Sequence, residues 1–378
     1  MIKKIYPLNN AAYQMPTMVY YGRDSLFLLL DIIKEKKPQN ILLVTGEHFK
    51  TTKEFRYLIE KVNNLTVYKP IIKKCNFETI NKLIHFCRQN SIDAIISIGG
   101  GTVIDMAKCA AAVVVNGKYV EDYLVSGTKQ IAKRGLFLVA VPTTSGTGSE
   151  VTPWATVWDR IKKYSLDSKY IFPDIAIVDP CLTYSLPKNH TAEPGIDALC
   201  QAIESYWNIN SNLASDKYAL ESIGIILKKL SRVVNNPSPE SRDCMAWGSL
   251  LGGLAFSNTR TTICHAVSYP MTIHWGVPHG QAAAITLPPF IEYTFPVLSK
   301  ERLLKILDAM QVKSPKEAAE KVTRLMIDTG LKTRLSELGI PKRSISLIVK
   351  EGFDPSRAKN IPKVPSPEEL ECLLYGIL

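Results

Sequence analysis

This chain has no Cys-x-x-Cys pair, no Gly-x-Gly-x-x-Gly run, no internal repeat and no low-complexity stretch. Its eight cysteines (Cys75, Cys87, Cys109, Cys181, Cys200, Cys244, Cys264 and Cys372) form no compact ladder. That excludes a secreted scaffold built on disulfides and leaves them as reduced, mostly core residues. The longest apolar run, Leu26 to Ile33, is interrupted by Asp31 and falls far short of the roughly 20 residues of a membrane span. The opening MIKKIYPLNN carries lysines with no apolar segment behind them, so it is not read as a signal peptide. A cytoplasmic protein with no membrane partner is expected. Interleaved aromatic and basic residues of the kind that grip nucleic acid are missing too, so no nucleic acid partner is expected.

What is present is an ordinary globular composition over 378 residues, enough for two domains. The net charge of +11 comes from Lys and Arg residues scattered along the chain. It reads either as a surface that favours anionic ligands or as a merely solvated one.

The first half alternates short, branched apolar runs with amphipathic stretches. Thr17–Tyr21, Ile41–Thr45, Leu65–Lys69, Ala94–Ile98, Phe137–Val141 and Ile175–Val178 read as buried strands, with Asp24–Lys36 and Phe77–Asn90 as helices between them. This pattern predicts a parallel sheet covered on both faces. Trp154–Trp158 and Lys163–Leu166, separated by Asp159-Arg160, predict a hairpin. After Pro187 the spacing becomes helical throughout: Glu193–Trp207, Ser215–Val234, Arg242–Phe256, Lys300–Met310, Pro315–Thr329 and Lys332–Leu338. The predicted architecture is an α/β nucleotide-binding domain over 1–183 and an all-helical domain over 184–378.

Two loops suit phosphate. Strand Ile95–Ile98 empties into Gly99, Gly100 and Gly101 and then a helix carrying Thr102 and Asp105. Glycines let backbone approach a diphosphate, and a helix N-terminus offers unpaired N–H groups. A second strand runs into Pro142, Thr143, Thr144, Ser145, Gly146, Thr147, Gly148 and Ser149, a hydroxyl-rich loop at the same sheet edge. The alternative for each is a plain surface turn.

In the second half, Asp197 and Gln201 stand four apart on one helical face, with Pro194 expected in the first turn. A carboxylate buried there needs a partner charge, either a metal or a lysine. Between Asn258 and Gln281, His265 and His279 flank a break made by Gly276, Pro278 and Gly280. Two imidazoles returned to one point suit Fe(II), Zn(II) or Ni(II), unless they are simple turn histidines.

Taken in order, GGGTVID, PTTSGTGSE, GIDALCQAIES, AFSN, CHAVSYP and VPHGQAAAITLP resemble the iron-containing (group III) alcohol dehydrogenases, and the segment around Asp354 resembles that family's C-terminal ending. The resemblance implies a dehydroquinate-synthase-like fold with a dinucleotide domain, a helical domain and a cleft between them. It implies a nicotinamide cofactor, one divalent metal ion with Fe(II) favoured and Zn(II) second, and self-association as a dimer or larger homo-oligomer. Carried over by position, Asp197, His265 and His279 match metal ligands. Gly99, Gly100, Gly101, Asp105, Thr143, Thr144 and Ser145 match cofactor positions, and Thr102, Thr147 and Ser149 lie beside them.

Three departures bear on function. The family's ligand histidine falls on Gln201, and the histidine four after the first ligand of the later motif falls on Tyr269, which could donate a proton or only pack. Where many members have Asn-Ala-Gly, this chain has Asn258-Thr259-Arg260. With TPWATVWD and KKYSL, this looks like the phosphonoacetaldehyde reductase branch. It makes Trp154, Asn258, Lys162, Lys163 and Arg260 candidate contacts to a small anionic aldehyde; the alternatives are a structural ion pair for Arg260 and an exposed hairpin for the lysines. Strand Ile41–Thr45 ends in Gly46, where NAD-preferring relatives often place an aspartate, so NADPH rather than NADH is favoured, with His48 or Lys50 near its 2′-phosphate. The expected activity is reduction of phosphonoacetaldehyde to 2-hydroxyethylphosphonate. A general short-chain alcohol or diol dehydrogenase, a maleylacetate-reductase-like enzyme and a catalytically silent nucleotide-binding paralogue are the alternatives.

Overall fold

The computed structural model describes residues 13–72, 74–125, 127, 129–159, 162–353 and 358–378. The N-terminal decapeptide, Arg160 of the hairpin turn and Asp354, all used above, lie outside the described residues.

Among the described residues, eight strands form in the first half: β1 (Met18–Tyr21), β2 (Ile41–Thr45), β3 (Leu65–Val67), β4 (Ala94–Gly99), β5 (Phe137–Pro142), β6 (Trp154–Trp158), β7 (Lys163–Asp167) and β8 (Ile175–Val178). Six of them make one parallel sheet in the order β1-β8-β5-β4-β2-β3. The most apolar runs take the middle: β2 and β4 are buried along their whole length, while β1 and β3 form the part-exposed edges. Helices Phe77–Gln89 and Gly101–Asn116 cover one face, and Leu29–Lys36 with Lys53–Lys61 the other.

Register does the positioning. Thr45 pairs with Ile98, and Gly99 with Pro142. The chain therefore leaves three adjacent strands at the same edge, through Gly46, Gly100 and Thr143. Sequence direction across the sheet reverses between β2 and β4, the kind of switch point where open α/β sheets bind ligands. The β6–β7 hairpin stands off the sheet, with Trp154 opposite Asp167 and Trp158 opposite Lys163.

From Asn189 onward the described chain is helical and has its own apolar core. Helices Leu213–Asn235, Pro239–Thr259 and Pro367–Tyr375 open with reciprocal capping boxes at Asn212, Ser238 and Ser366, which satisfy otherwise orphaned N–H groups. Two expectations fail here. The carboxylate helix begins at Asn189, so Pro194 lies inside it and not in its first turn. Lys332–Leu338 is not a helix beyond a single turn at Ser336–Leu338. The Gln281 side chain takes both the N–H and the carbonyl of Lys332 (2.7 and 2.9 Å), and Glu337 accepts from the N–H groups of Thr333 and Arg334. Side chains have replaced the helical partners of that backbone. Among the described residues no helix is long and apolar enough to cross a membrane.

Candidate active site

The glycine edge and the helical half meet over a cavity of about 320 Å³, whose wall includes Gly100, Gly101, Thr102, Asp105, Thr144, Thr147 and Ser149. A smaller cavity of about 140 Å³ adjoins it at Gly100 and includes Gly46, His48, Gly99, Thr143 and Ser185. Ser145 sits half-buried on the same loop. The two loops are locked together from below. Asp105 accepts the Ser149 hydroxyl and, at 2.8 Å, the Thr156 N–H. One turn on, the fully buried Lys108 ammonium donates to the carbonyls of Ser149 (2.9 Å), Thr152 (2.8 Å) and Trp154. Burial lowers the Lys108 ammonium to about 8 against the pull of Asp105, and lifts the Asp105 carboxyl above its ordinary value. Lys108 was not anticipated from sequence, although its spacing of three from Asp105 puts the two on one helix face.

On the opposite wall, Asp197, His265 and His279 each present a ligand atom, all within 4.8 Å of one another. Gly276 makes this convergence possible at one end. At φ 66° it ends the helix Ile263–Trp275 in the left-handed conformation that suits glycine. Gly280 does so at the other: a Cβ there would stand 2.1 Å from the Glu193 carbonyl oxygen. Only a bare Cα lets the helix beginning at His279 come so close to Asp197.

Asp197 and His265 are both nearly sealed from solvent, at 4% and 3% exposure. Asp197 Oδ1 and His265 Nε2 are 3.2 Å apart yet misaligned for a hydrogen bond, and both are buried without a hydrogen-bond partner among the described residues. Gln201 donates from Nε2 to Asp197 Oδ2 at 3.0 Å, which leaves its own Oε1 equally orphaned. Buried polar atoms rarely stay unpaired. Three orphaned donor atoms facing one space, two of them ligand types of a divalent transition metal, fit such an ion.

The other side of His265 is fully paired. Its Nδ1 contacts Glu204 Oε2, while Glu204 Oε1 accepts from Thr262 N, Thr262 Oγ1 and Cys264 N at 3.1, 2.6 and 2.9 Å. Burial alone would raise the Glu204 carboxyl, but His265 and Thr262 hold it below its ordinary value. Burial likewise pulls His265 down, and Glu204 and Asp197 outweigh it to leave the imidazole at about 9. Such a carboxylate fixes the tautomer of a ligand histidine. Sequence reasoning missed Glu204, though it lies seven residues after Asp197 and so on the same helix face. His279 meets Ser268 Oγ through Nδ1 at 3.2 Å and stacks on Tyr269, ring centroids 5.7 Å apart.

The remaining wall comes from the hairpin and from the end of helix Pro239–Thr259. Trp154, Trp158, Lys163, Arg260 and Tyr269 all line the cavity. Lys163 Nζ lies 3.4 Å from the Tyr269 hydroxyl. Arg260 stands over the Trp154 ring but pairs with Asp167 at the end of β7. Two sequence candidates stand apart. Asn258 spends its amide on the backbone of Gln14 and on Ser257, and Lys162 is exposed over Tyr164. In the smaller cavity, His48 bonds Ser185 at 3.0 Å; Lys50 is not on its wall and pairs with Glu47 at 2.7 Å.

Comparison with known proteins decides the family. Residues 16–180 match the model of the iron-containing alcohol dehydrogenases, and residues 191–377 match that family's C-terminal model. The chain belongs to the iron-containing alcohol dehydrogenases. As a member it is 33% identical over 359 residues to long-chain-alcohol dehydrogenase 1 of Geobacillus thermodenitrificans, covering 90% of each chain. It is 31% identical to the phosphonoacetaldehyde reductase of Streptomyces viridochromogenes over 71% of this chain and 73% of that one. Among solved structures, the sulfoacetaldehyde reductase of Bifidobacterium kashiwanohense in complex with NAD+ superposes with a TM-score of 0.91 at 28% identity, covering 97% and 98%. This iron-containing alcohol dehydrogenase is thus an oxidoreductase with the family's α/β-plus-helical fold. Gln201 and Tyr269, where the resemblance implies histidines, both line its cavity.

Proposed function

We propose that this enzyme reduces a small anionic aldehyde to its primary alcohol, with phosphonoacetaldehyde giving 2-hydroxyethylphosphonate as the preferred reaction. The observation that carries the reading is the facing of the orphaned Asp197, Gln201 and His265 atoms and His279 towards the glycine edge, with Arg260 and Lys163 on the same cavity wall. Asp197, His265 and His279 would hold one divalent ion, Fe(II) before Zn(II), with Gln201 assisting. When bound, the ion supplies Lewis-acid polarisation of a carbonyl and the nicotinamide supplies the hydride.

The chain's own residues do the rest. Gly99, Gly100, Gly101, Thr143, Thr144, Ser145, Thr147 and Ser149 receive the cofactor's phosphates and adjoining sugar. Glu204 keeps His265 Nδ1 protonated and Nε2 turned to the cavity. Tyr269 Oη, beside Lys163, holds the proton that the product oxygen takes up. Trp154 and Trp158 narrow the pocket to a short chain. NADPH is the proposed cofactor because Gly46 presents no carboxylate to a 2′-phosphate; His48 lines that cavity, and Lys50 is already paired with Glu47. Self-association as a dimer, implied by the family resemblance, is checked by light scattering.

Chelation should abolish turnover and Fe(II) or Zn(II) should restore it; full activity in a metal-free preparation contradicts the metal's role. Arg260→Ala should raise the KM for phosphonoacetaldehyde at least tenfold more than that for propanal, about the worth of one charged contact. A second reading, a general short-chain aldehyde reductase, is favoured by the pairing of Arg260 with Asp167, which leaves the arginine's charge neutralised. Equal kcat/KM for acidic and neutral aldehydes would select it.

A further inference from the structure

Arg260 occupies a backbone position that does not suit it. Its φ of 70° and ψ of 173° lie in a region that is otherwise nearly reserved for glycine. Neighbours hold it there. Its N–H donates to the Phe256 carbonyl at 2.8 Å, and the Asn208 amide donates to the carbonyls of Thr259 and Arg260 at 3.0 and 3.1 Å. An arginine kept at a glycine-type position has a side chain with work to do. That side chain lies over Trp154 on the cavity wall, and its guanidinium is taken by the carboxylate of Asp167, 93 residues away in sequence.

Arg260 and Asp167 keep 52% and 32% of their side-chain surface exposed. A pair so open to water is held weakly and can be exchanged. The pair is also neutral, so an incoming anionic tail meets no net attraction until it competes for the guanidinium. Any anionic tail, with one charge or with the one to two that phosphoryl-type groups carry near neutral pH, must displace the Asp167 carboxylate and then stand beside it, whereas a neutral tail meets neither cost. Like charges set side by side are a means of rejecting the wrong partner.

Resting on the anionic-aldehyde reading above, we infer that Asp167 is a specificity determinant of this pocket: it fills the Arg260 fork as an internal carboxylate and so holds down the preference for anionic tails over neutral ones. Asp167 acts through Arg260 and is a positioning residue, not a catalytic one. Neither the charge pattern nor the motif spacing of the sequence points to it.

The test is steady-state kinetics of the full-length, metal-loaded enzyme with phosphonoacetaldehyde, sulfoacetaldehyde and propanal, comparing the parent with Asp167→Asn and Arg260→Gly. Asp167→Asn should lower the KM for both acidic aldehydes, taken relative to propanal, about tenfold. The preference for acidic over neutral aldehydes thereby widens, while kcat moves no more for the acidic aldehydes than for propanal. If instead Asp167→Asn raises the KM for both acidic aldehydes, or leaves it as in the parent relative to propanal, the selection role is overturned. Asp167→Ser serves as a second variant should the first fold poorly. Arg260→Gly separates this failure from that of the underlying reading. If it shifts the KM for all three aldehydes alike, the anionic substrate itself is wrong, whatever Asp167 does.

Discussion

The Glu204 carboxylate holds His265 Nδ1 with one oxygen and closes the start of the same histidine-bearing helix with the other. One buried side chain therefore sets both the direction of the helix and the face that its imidazole turns to Asp197. Glu204→Gln should weaken metal binding about 10- to 100-fold, measured by competition with a chromogenic chelator. Metal affinity unchanged from the parent would show that the carboxylate only caps the helix.

Gly280→Ala forces a methyl group against the Glu193 carbonyl, with the Asp197 Cβ at 3.0 Å behind it. Pushing the two helices apart should cost on the order of 2 kcal/mol of stability. It should also lower bound metal well below one per chain, read by thermal unfolding and metal analysis. A fully metal-loaded variant would contradict the close-approach argument.

Gln201→His supplies the imidazole that the family resemblance implies at this position. It should tighten metal binding about tenfold, imidazole being the better ligand for transition metals, although the hydrogen bond to Asp197 is lost. Weaker binding would mean that orienting Asp197 matters more than the donor atom.

Glu150 is buried with Oε2 unpaired among the described residues, and burial raises its carboxyl to about 7. Between its unfolded value of 4.5 and 7 the folded state binds the extra proton, so stability from this group falls as pH rises through that window. The loss is on the order of 3 kcal/mol. Glu150→Gln should flatten that part of a urea-midpoint profile. Lys108, lowered from 10.5 to about 8, has the opposite sign: its contribution rises from pH 8 to 10.5 and should persist in the Glu150 variant.

At Arg260 the backbone φ is 70°. Arg260→Gly and Arg260→Ala both remove the bond to Asp167, but only glycine relieves the backbone. The glycine variant should be the more stable by about 1–2 kcal/mol in denaturant unfolding. Equal stabilities would show that this position carries no strain.

Much of this molecule was readable in advance because the signals are local. Branched apolar runs located all eight described strands within about two residues, and the Lys332 segment missed because the side chains of Gln281 and Glu337 took over its backbone. The residue types at 197, 265 and 279 pointed to a candidate metal site because imidazole and carboxylate have that chemistry wherever they stand. Glu204 stands two turns along the same helix face from Asp197 and was overlooked.

By itself the chain's order of residues determined the alternating sheet, the glycine-lined edge, the family and the candidate ligand atoms, since each follows from short-range propensity or from the chemistry of a single side chain. Only the tertiary structure decided which charges meet. Arg260 found Asp167, Lys50 found Glu47, Lys163 found Tyr269 and Asn258 turned to Gln14. Pairing of that kind depends on distances across tens to hundreds of residues. Composition and spacing carry no measure of such distances.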